Sequence, residues 1–354
     1  YENYKEIEAS TATMVYSVSG IFTKLNLTFH LSREIESSPD SSGEECLERF
    51  IQGTATAPDA GFRATICNGG GSVPKKSTKA PPRPYSTSAL QQAASNDLHL
   101  SPKDTMSVAQ KLYEQGYITY MRTDSKVYSA DFVKKACDYI RKRFGCAGAG
   151  SDDDLFGNLS TITSGSSSSS SKDAATAAAH EAIRPTDISR TLLPQSCHPR
   201  EHKLYSMIHR NTLESLMAPA TCQSLTMAIS SPVGVMVDSK DTECEYRYTA
   251  EQIIKPGWKL VGGYDTEAKE YSYFASLASS SSSTLLAAPF KKIMTKGSLR
   301  NTKSHYTESG LVQLLERLGI GRPSTFSSLI DKIQERGYVK LQDVRGKSLE
   351  CREF

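Results

Sequence analysis

The stretch YITYMRTDS, Tyr117 to Ser125, decides how this chain is read, because it sets a tyrosine two residues from an arginine. In an extended segment alternate side chains share a face, so Tyr120 and Arg122 point one way while Thr119 and Met121 point the other. A well-signalled helix precedes it. Ser101 is its N-cap, Pro102 takes the first helical position and Asp104 is the capping-box acid. Met106, Ala109, Leu112 and Tyr113 recur at helical spacing, and Gly116 stops the helix.

A phenol has an ordinary pKa of about 10, so a nucleophilic tyrosine needs a nearby cation or proton acceptor at neutral pH. Arg122 brings fixed positive charge and a planar fork of donors that suits phosphate oxygens. The pair therefore reads as a nucleophile beside a phosphate anchor. Attack on a DNA phosphodiester would exchange one phosphoester for another, so resealing would need no ATP. Taken alone, Tyr-x-Arg also fits an ordinary surface strand.

Two further stretches carry chemistry. In AHEAIRPTD, Ala179 to Asp187, a zinc protease would need a second histidine four residues after His180, where Arg184 stands, so that class is excluded. A histidine titrating near pH 6.5 can instead relay a proton, or simply be a satisfied structural residue. In GIGRPST, Gly319 to Thr325, glycines let the backbone turn, Arg322 adds a cation, and Ser324 or Thr325 caps a helix whose free N–H groups suit an anion. An ordinary glycine-rich helix connection is the alternative. Gln110 and Glu114, four apart, share one face of the helix before Tyr120.

Composition is permissive rather than decisive. The 354 residues suffice for two or more domains, and 38% hydrophobic content supports real cores. The net charge of +3 hides an uneven distribution: residues 1–60 carry 4 basic and 10 acidic side chains, whereas residues 62–145 carry 14 basic and 6 acidic. Positive charge thus surrounds the tyrosine motif, as a polyanion-binding surface requires. Eight cysteines without a C-x-x-C pair argue against a zinc ribbon and a disulfide framework, and for an intracellular protein. No apolar run approaches the roughly 18 residues of a membrane span, and no secretory signal is evident.

Along the chain, TKLNLTF alternates as a half-buried strand through Leu25, Leu27 and Phe29. Ser37 to Glu45 reads as a polar loop, and Gly69 to Pro82 as a connector. A basic-sided helix is expected from Ser129 to Gly145, followed by a serine-rich insertion expected to lack structure. Strands return with Leu225, Met227 and Ile229, and with Val235 and Val237, and are expected to end near Lys296. The run Ser279 to Ser283 reads as a flexible loop between strands. Two last helices carry stripes of Leu311, Leu314, Leu315 and Leu318, and of Phe326, Leu329, Ile330 and Ile333, stopped by Gly319 and Gly337. Both stripes are expected to be core.

Together with PYSTSALQQAAS, Pro84 to Ser95, and LGIGRPSTFSSLIDKIQERGYV, Leu318 to Val339, the tyrosine and histidine blocks resemble type IA DNA topoisomerases in their bacterial form. The resemblance covers most of the chain, with the blocks in family order. It implies an α+β multidomain fold, an open ring with a β-rich arch, a winged-helix-like tyrosine domain and a partial helical base. The implied division is 1–12 as the end of the base, 13–81 as outgoing arch strands, 82–219 as the tyrosine domain with the insertion at about 147–178, 220–296 as returning strands, and 297–354 as base.

The resemblance also implies roles: Tyr120, Arg122 and His180 in catalysis, and Arg184, Arg322, Thr325, Gln110, Glu114 and Thr186 at the DNA, with Glu181 in support. Mg²⁺ is the implied cofactor, held by a Toprim domain of which this chain shows no acidic D-x-D-x-D string. The chain is accordingly expected to be a fragment or one piece of a split enzyme, completed by a Toprim domain in cis or in trans. The expected activity is cleavage of one strand to a 5′-phosphotyrosine, strand passage and resealing, which relaxes negatively supercoiled duplex DNA through a single-stranded target. The alternative is a non-catalytic single-stranded DNA-binding fragment or subunit. An intracellular, DNA-associated location follows: cytoplasm or nucleoid in a bacterium, nucleus or mitochondrion in a eukaryote, where the serine tracts favour the organelle.

Overall fold

Apolar alternation on both sides of the tyrosine segment produces strands that pair with one another across the sequence. The computed structural model describes residues 5–7, 13–36, 42–57, 62–67, 74–145, 155–157, 159–164, 181–237, 240–279, 286–287, 291–300 and 303–344. Its sheet is built from β1 (Thr13–Phe22), β2 (Leu27–Leu31), β3 (Ile35–Glu36), β4 (Arg63–Cys67), β5 (Lys75–Lys79), β6 (Ala220–Ser230), β9 (Glu245–Lys255), β10 (Leu286–Ala287) and β11 (Lys292–Arg300), while β7 (Val235–Val237) and β8 (Lys240–Thr242) form a separate ribbon. The order is β10-β4-β6-β9-β2-β1-β11, with β3 added on β1 and β5 on β6, and every pairing is antiparallel.

Early and late strands interleave, so the sheet is assembled from both halves of the chain. Their shared core holds Val18, Phe22, Phe29, Phe50 and Phe62 from before the tyrosine segment, and Leu225, Met227, Ile229, Tyr246 and Phe274 from after it. Phe22 sits at its centre, with ring contacts to Phe29, Phe62 and Tyr246 at 5.6, 5.7 and 5.2 Å. Everything between β5 and β6 is an insertion whose two ends are neighbours: Lys79 pairs with Ala220, Lys79 Nζ meets Glu251 at 2.5 Å, and Trp258 Nε1 donates to the Lys79 carbonyl at 3.0 Å.

That insertion is helical: α2 (Thr87–Leu98), α3 (Pro102–Glu114), α4 (Ala130–Phe144), α5 (Leu159–Ser164) and α6 (Pro199–Leu216). The long α6 serves two cores. Leu204, Tyr205 and Ile208 pack with Leu90, Ala109, Leu112, Ile118 and Met121. Leu213, Leu216 and the following Met217 pack with Phe132, Val133, Ala136 and Ile140 of α4.

Several expectations are corrected. Leu25 is exposed in a turn from Thr23 to Asn26, whose ends take left-handed φ of 68° and 54°, so the strand starts at Leu27. The presumed loop from Ser37 covers the start of α1 (Gly43–Thr56), which Ser42 and Glu45 open with a reciprocal capping box; Cys46, Leu47 and Phe50 on one face bury it. The presumed connector contains β5, a polar edge strand. Part of the serine-rich insertion is folded, because Leu155, Phe156, Leu159 and Ile162 supply apolar groups that cover α4; the rest, including residues 165–180, lies outside the described residues. Helix α7 (Lys269–Ser279) interrupts the returning strands and buries Tyr271 and Phe274, and the last strand runs on to Arg300. The run 280–283 lies outside the described residues.

The terminal helices α8 (Glu308–Arg317) and α9 (Phe326–Glu335) end at Gly319 and Gly337 as expected, but their stripes are only partly core. Val312, Phe326 and Ile330 are buried, whereas Leu318 is 59% exposed. Helix α8 lies on α2, where Ser88 Oγ donates to Glu316 Oε1 at 2.6 Å, and α9 lies on α3, where Lys103 faces Asp331 at 3.3 Å.

Candidate active site

The tyrosine segment starts where α3 stops. Gly116 takes φ +74°, a left-handed turn open to glycine at no steric cost, and Thr186 Oγ1 locks it by donating to the Gly116 carbonyl at 2.6 Å. The chain then runs to α4 without joining a sheet, bending at Tyr117, Thr119 and Met121; an isolated bridge ties Ile118 to Pro185. From Tyr120 to Lys126 the alternation is complete: Tyr120, Arg122, Asp124 and Lys126 are exposed, and Met121, Thr123 and Ser125 are buried.

What makes an unpaired segment rigid is Thr87, fully buried at the start of α2. Its N–H donates to the Thr123 carbonyl at 2.8 Å, its hydroxyl donates to the Met121 carbonyl at 2.6 Å, and it accepts the Thr123 N–H at 2.8 Å. On the other flank, Thr119 N–H donates to the Arg184 carbonyl at 2.9 Å and Thr119 Oγ1 accepts the Arg184 N–H at 3.0 Å. Farther along, Ala182 N–H donates to the Val127 carbonyl at 2.8 Å. Backbone on both sides of Tyr120 is thus held, while its side chain is partly exposed.

The Tyr120 ring is 39% exposed and meets Tyr113 edge-on, with centroids 5.3 Å apart. Tyr113, read as part of the helix's apolar spacing, is itself 40% exposed and belongs to the site instead. Its position seven residues before Tyr120, at the last turn of α3, was the available signal. Gln110 Nε2 donates to Glu114 Oε1 at 2.8 Å on the same helix.

Arg184 is held within the fold by three contacts. Its Nε donates to Glu181 Oε2 at 2.6 Å, its Nη1 to the Pro185 carbonyl at 2.9 Å, and its guanidinium carbon lies 3.9 Å from the centre of the Phe132 ring. Partial burial works to raise the Glu181 carboxyl, but hydrogen bonds and charge from Arg184, with help from Ser129, outweigh it and hold the group below its ordinary range. Arg184 and Thr186 therefore brace the segment from below. His180 lies outside the described residues.

Arg322 and Thr325 occupy the turn between α8 and α9. Gly321 holds φ +87° there, and a side chain in its place would meet Leu329 Cδ1 at 2.8 Å. Arg322 is exposed; its N–H donates to Thr325 Oγ1 at 2.8 Å and its Nη1 to the Gly321 carbonyl at 3.1 Å. Thr325, not Ser324, is the N-cap of α9, and its hydroxyl serves the turn rather than the helix N–H groups. Among the described residues, no hydrogen bond or ring contact joins this turn to Tyr120.

A family model described as DNA topoisomerase matches residues 2–351. The chain belongs to that family. It is 37% identical over 274 residues to DNA topoisomerase 1 of Vibrio cholerae, covering 77% of this chain and 28% of that protein. With DNA topoisomerase 1 of Mycobacterium leprae it shares 33% identity over 293 residues, 81% of this chain and 29% of that one. The solved structure of full-length topoisomerase I from Thermotoga maritima superposes with a TM-score of 0.63 at 25% identity, covering 96% of this chain and 50% of that chain. The type IA, α+β architecture is therefore established, and the chain spans under a third of the length of these curated relatives.

Among the described residues no group of three or more His, Cys, Asp or Glu side chains could hold a metal ion. None of the chemistry below is assigned to a metal bound by these residues. No helix among the described residues is long and apolar enough to cross a membrane.

Proposed function

We propose that this chain is the strand-cleaving gate of a type IA DNA topoisomerase, with residues 13–81 and 220–296 as the arch, 82–219 as the tyrosine domain and 297–354 as part of the base. The observation that supports it is the partly exposed Tyr120 phenol on a backbone held on both flanks, two residues from exposed Arg122. Tyr120 Oη attacks the phosphorus of a DNA phosphodiester. The Tyr120 O–P bond forms, the P–O3′ bond breaks, and the phenolic proton passes to the departing 3′ oxygen through a relay in which we place His180. Arg122 anchors the phosphate, Arg322 and Thr325 hold the strand from the base side, and Gln110 and Glu114 flank it on α3. Arg184 and Thr186 are positioning residues.

Reversal of the same exchange reseals the strand after another has passed. Because the target is single-stranded, negatively supercoiled duplex is the substrate class, and phosphate contacts give weak sequence preference. Mg²⁺ would come with a Toprim domain in cis or in trans. An intracellular, DNA-associated protein follows from this activity; an organellar compartment has only the serine tracts in its favour.

The exposed cations Arg122 and Arg322 also suit a second reading, a single-stranded DNA-binding module that holds a strand without cutting it. Incubation with negatively supercoiled plasmid, Mg²⁺ and a Toprim-containing partner separates the two. Stepwise relaxation and a covalent DNA adduct, both lost in Tyr120→Phe, support the enzyme. Binding without an adduct under every condition supports the module.

A further inference from the structure

Resting on the reading of Tyr120 as nucleophile, we propose that Tyr117, Arg190, Tyr139 and Arg143 form a binding strip for the single DNA strand that remains attached to Tyr120 after cleavage. A 5′-phosphotyrosine leaves the strand on the 3′ side of the break covalently joined to this domain. While the gate is open that strand must be held without sequence readout, by cations and ring faces.

The strip begins three residues before Tyr120. The Arg190 guanidinium lies 5.0 Å from the centre of the half-buried Tyr117 ring, with Arg190 itself exposed. On α4, exposed Arg143 donates from Nη1 to the Tyr139 hydroxyl at 2.6 Å. Two arginines are thus each held against a tyrosine, with exposed guanidinium surface remaining.

Both pairs share one buried backing on α6. The Tyr205 ring lies 6.4 Å from Tyr117, its hydroxyl donates to the Arg190 carbonyl at 2.7 Å, and His209 lies 6.1 Å from Tyr205. On the other side, Tyr139 packs against the core that holds Ile188 and Leu213, and the Ile188 carbonyl lies 2.9 Å from His209 Nε2, so both pairs rest on this backing. Asp187 is the carboxylate on the strip, and its oxygen is taken up by the Ser189 N–H at 2.9 Å and hydroxyl at 2.6 Å.

The test uses the full chain, a fluorescent 20-nucleotide single strand and a NaCl series without Mg²⁺. For single strands each phosphate contact contributes about 0.7 to the slope of log K against log salt, so Arg143→Ala/Arg190→Ala should lower its magnitude by about 1.4. Arg143→Lys/Arg190→Lys should restore most of it, with melting temperature unchanged in both. An unaltered slope in the alanine variant would overturn the proposal.

A second arm adds a Toprim-containing partner and Mg²⁺, and shortens the strand only on the side retained by Tyr120. Adduct yield should fall with length for the unmodified chain and be indifferent to length for the alanine variant; equal length dependence would also overturn the strip. Absence of any Tyr120-dependent adduct from the unmodified chain would instead remove the nucleophile reading, a failure that the salt slopes keep separate.

Discussion

The turns that carry Arg122 and Arg322 are built in opposite ways. Around Arg122 the main chain is clamped from both sides, every second side chain from Met121 to Ser125 is buried, and Thr87 satisfies backbone groups that no sheet partner supplies. Around Arg322 the turn bonds mainly to itself, and Leu318, Ile320, Tyr338 and Leu341 nearby in sequence are 59%, 47%, 71% and 67% exposed. The backbone clamp around Tyr120 is built from described residues of this chain. The Arg322 turn has its helices docked on α2 and α3, with several apolar side chains beside it exposed.

The sharpest way to break this contrast is to act on Tyr120, the proposed nucleophile. Tyr120→Phe should reduce covalent adduct and plasmid relaxation to background while leaving the melting temperature within a degree or so, because the residue is 39% exposed and the change keeps its ring. Adduct formation that survives would move the chemistry to another residue, and labelled-DNA peptide mapping would show which.

Next in size is the clamp. Thr87→Val keeps the shape but leaves the Thr123 N–H without its side-chain acceptor in a buried setting, which should cost about 1–3 kcal/mol. Thr87→Ser, which retains the hydroxyl, should cost less, and cleavage should fall with stability in the valine variant. The matching change on the other platform, Thr325→Val, removes an exposed turn hydroxyl and should cost under about 1 kcal/mol. Equal costs in urea unfolding would abolish the distinction between a built platform and a loose one.

The clamp was not legible from sequence, although its consequence was. Helix α3, its Ser101 cap, the Gly116 stop and the two-residue alternation from Tyr120 all follow from local rules, so their pattern survives in a single sequence. Thr87 acts across 36 residues, and no periodicity marks it. The same holds for β5, whose KKSTK has no apolar alternation because it lies along one side of β6 with its side chains mostly exposed. Helix α1 was legible in principle: Ser42 and Glu45 form a capping box and Cys46, Leu47 and Phe50 a stripe, but the density of serines and acids before it masked both. Leu155, Leu159 and Ile162 were hidden in the same way by serines around them.

A smaller, pH-dependent effect should come from the brace under the tyrosine segment. Glu181 titrates below its ordinary 4.5 in the folded chain, so the unfolded chain binds the proton first as pH falls. Its contribution is present above about pH 4.5 and is lost as pH drops through the lower folded value. Glu181→Gln should therefore melt below the unmodified chain at pH 7, with the gap narrowing toward pH 3. A gap independent of pH would mean that the Arg184 pairing acts through shape alone.

The smallest effect should lie on the loose platform, at Leu318. Burial is what makes an apolar side chain stabilising, and at 59% exposure this one has little to lose, so Leu318→Gln should change unfolding free energy by less than about 0.5 kcal/mol. Met121→Gln, which puts an amide into a fully buried site beneath Tyr120, serves as the opposite extreme. If Leu318→Gln instead destabilises by more than about 1 kcal/mol, and the loss grows with protein concentration, then Leu318 is covered in solution by a second copy. In that event the contrast between the two platforms is one of partners rather than of construction, and the Arg322 turn acquires its rigidity from outside.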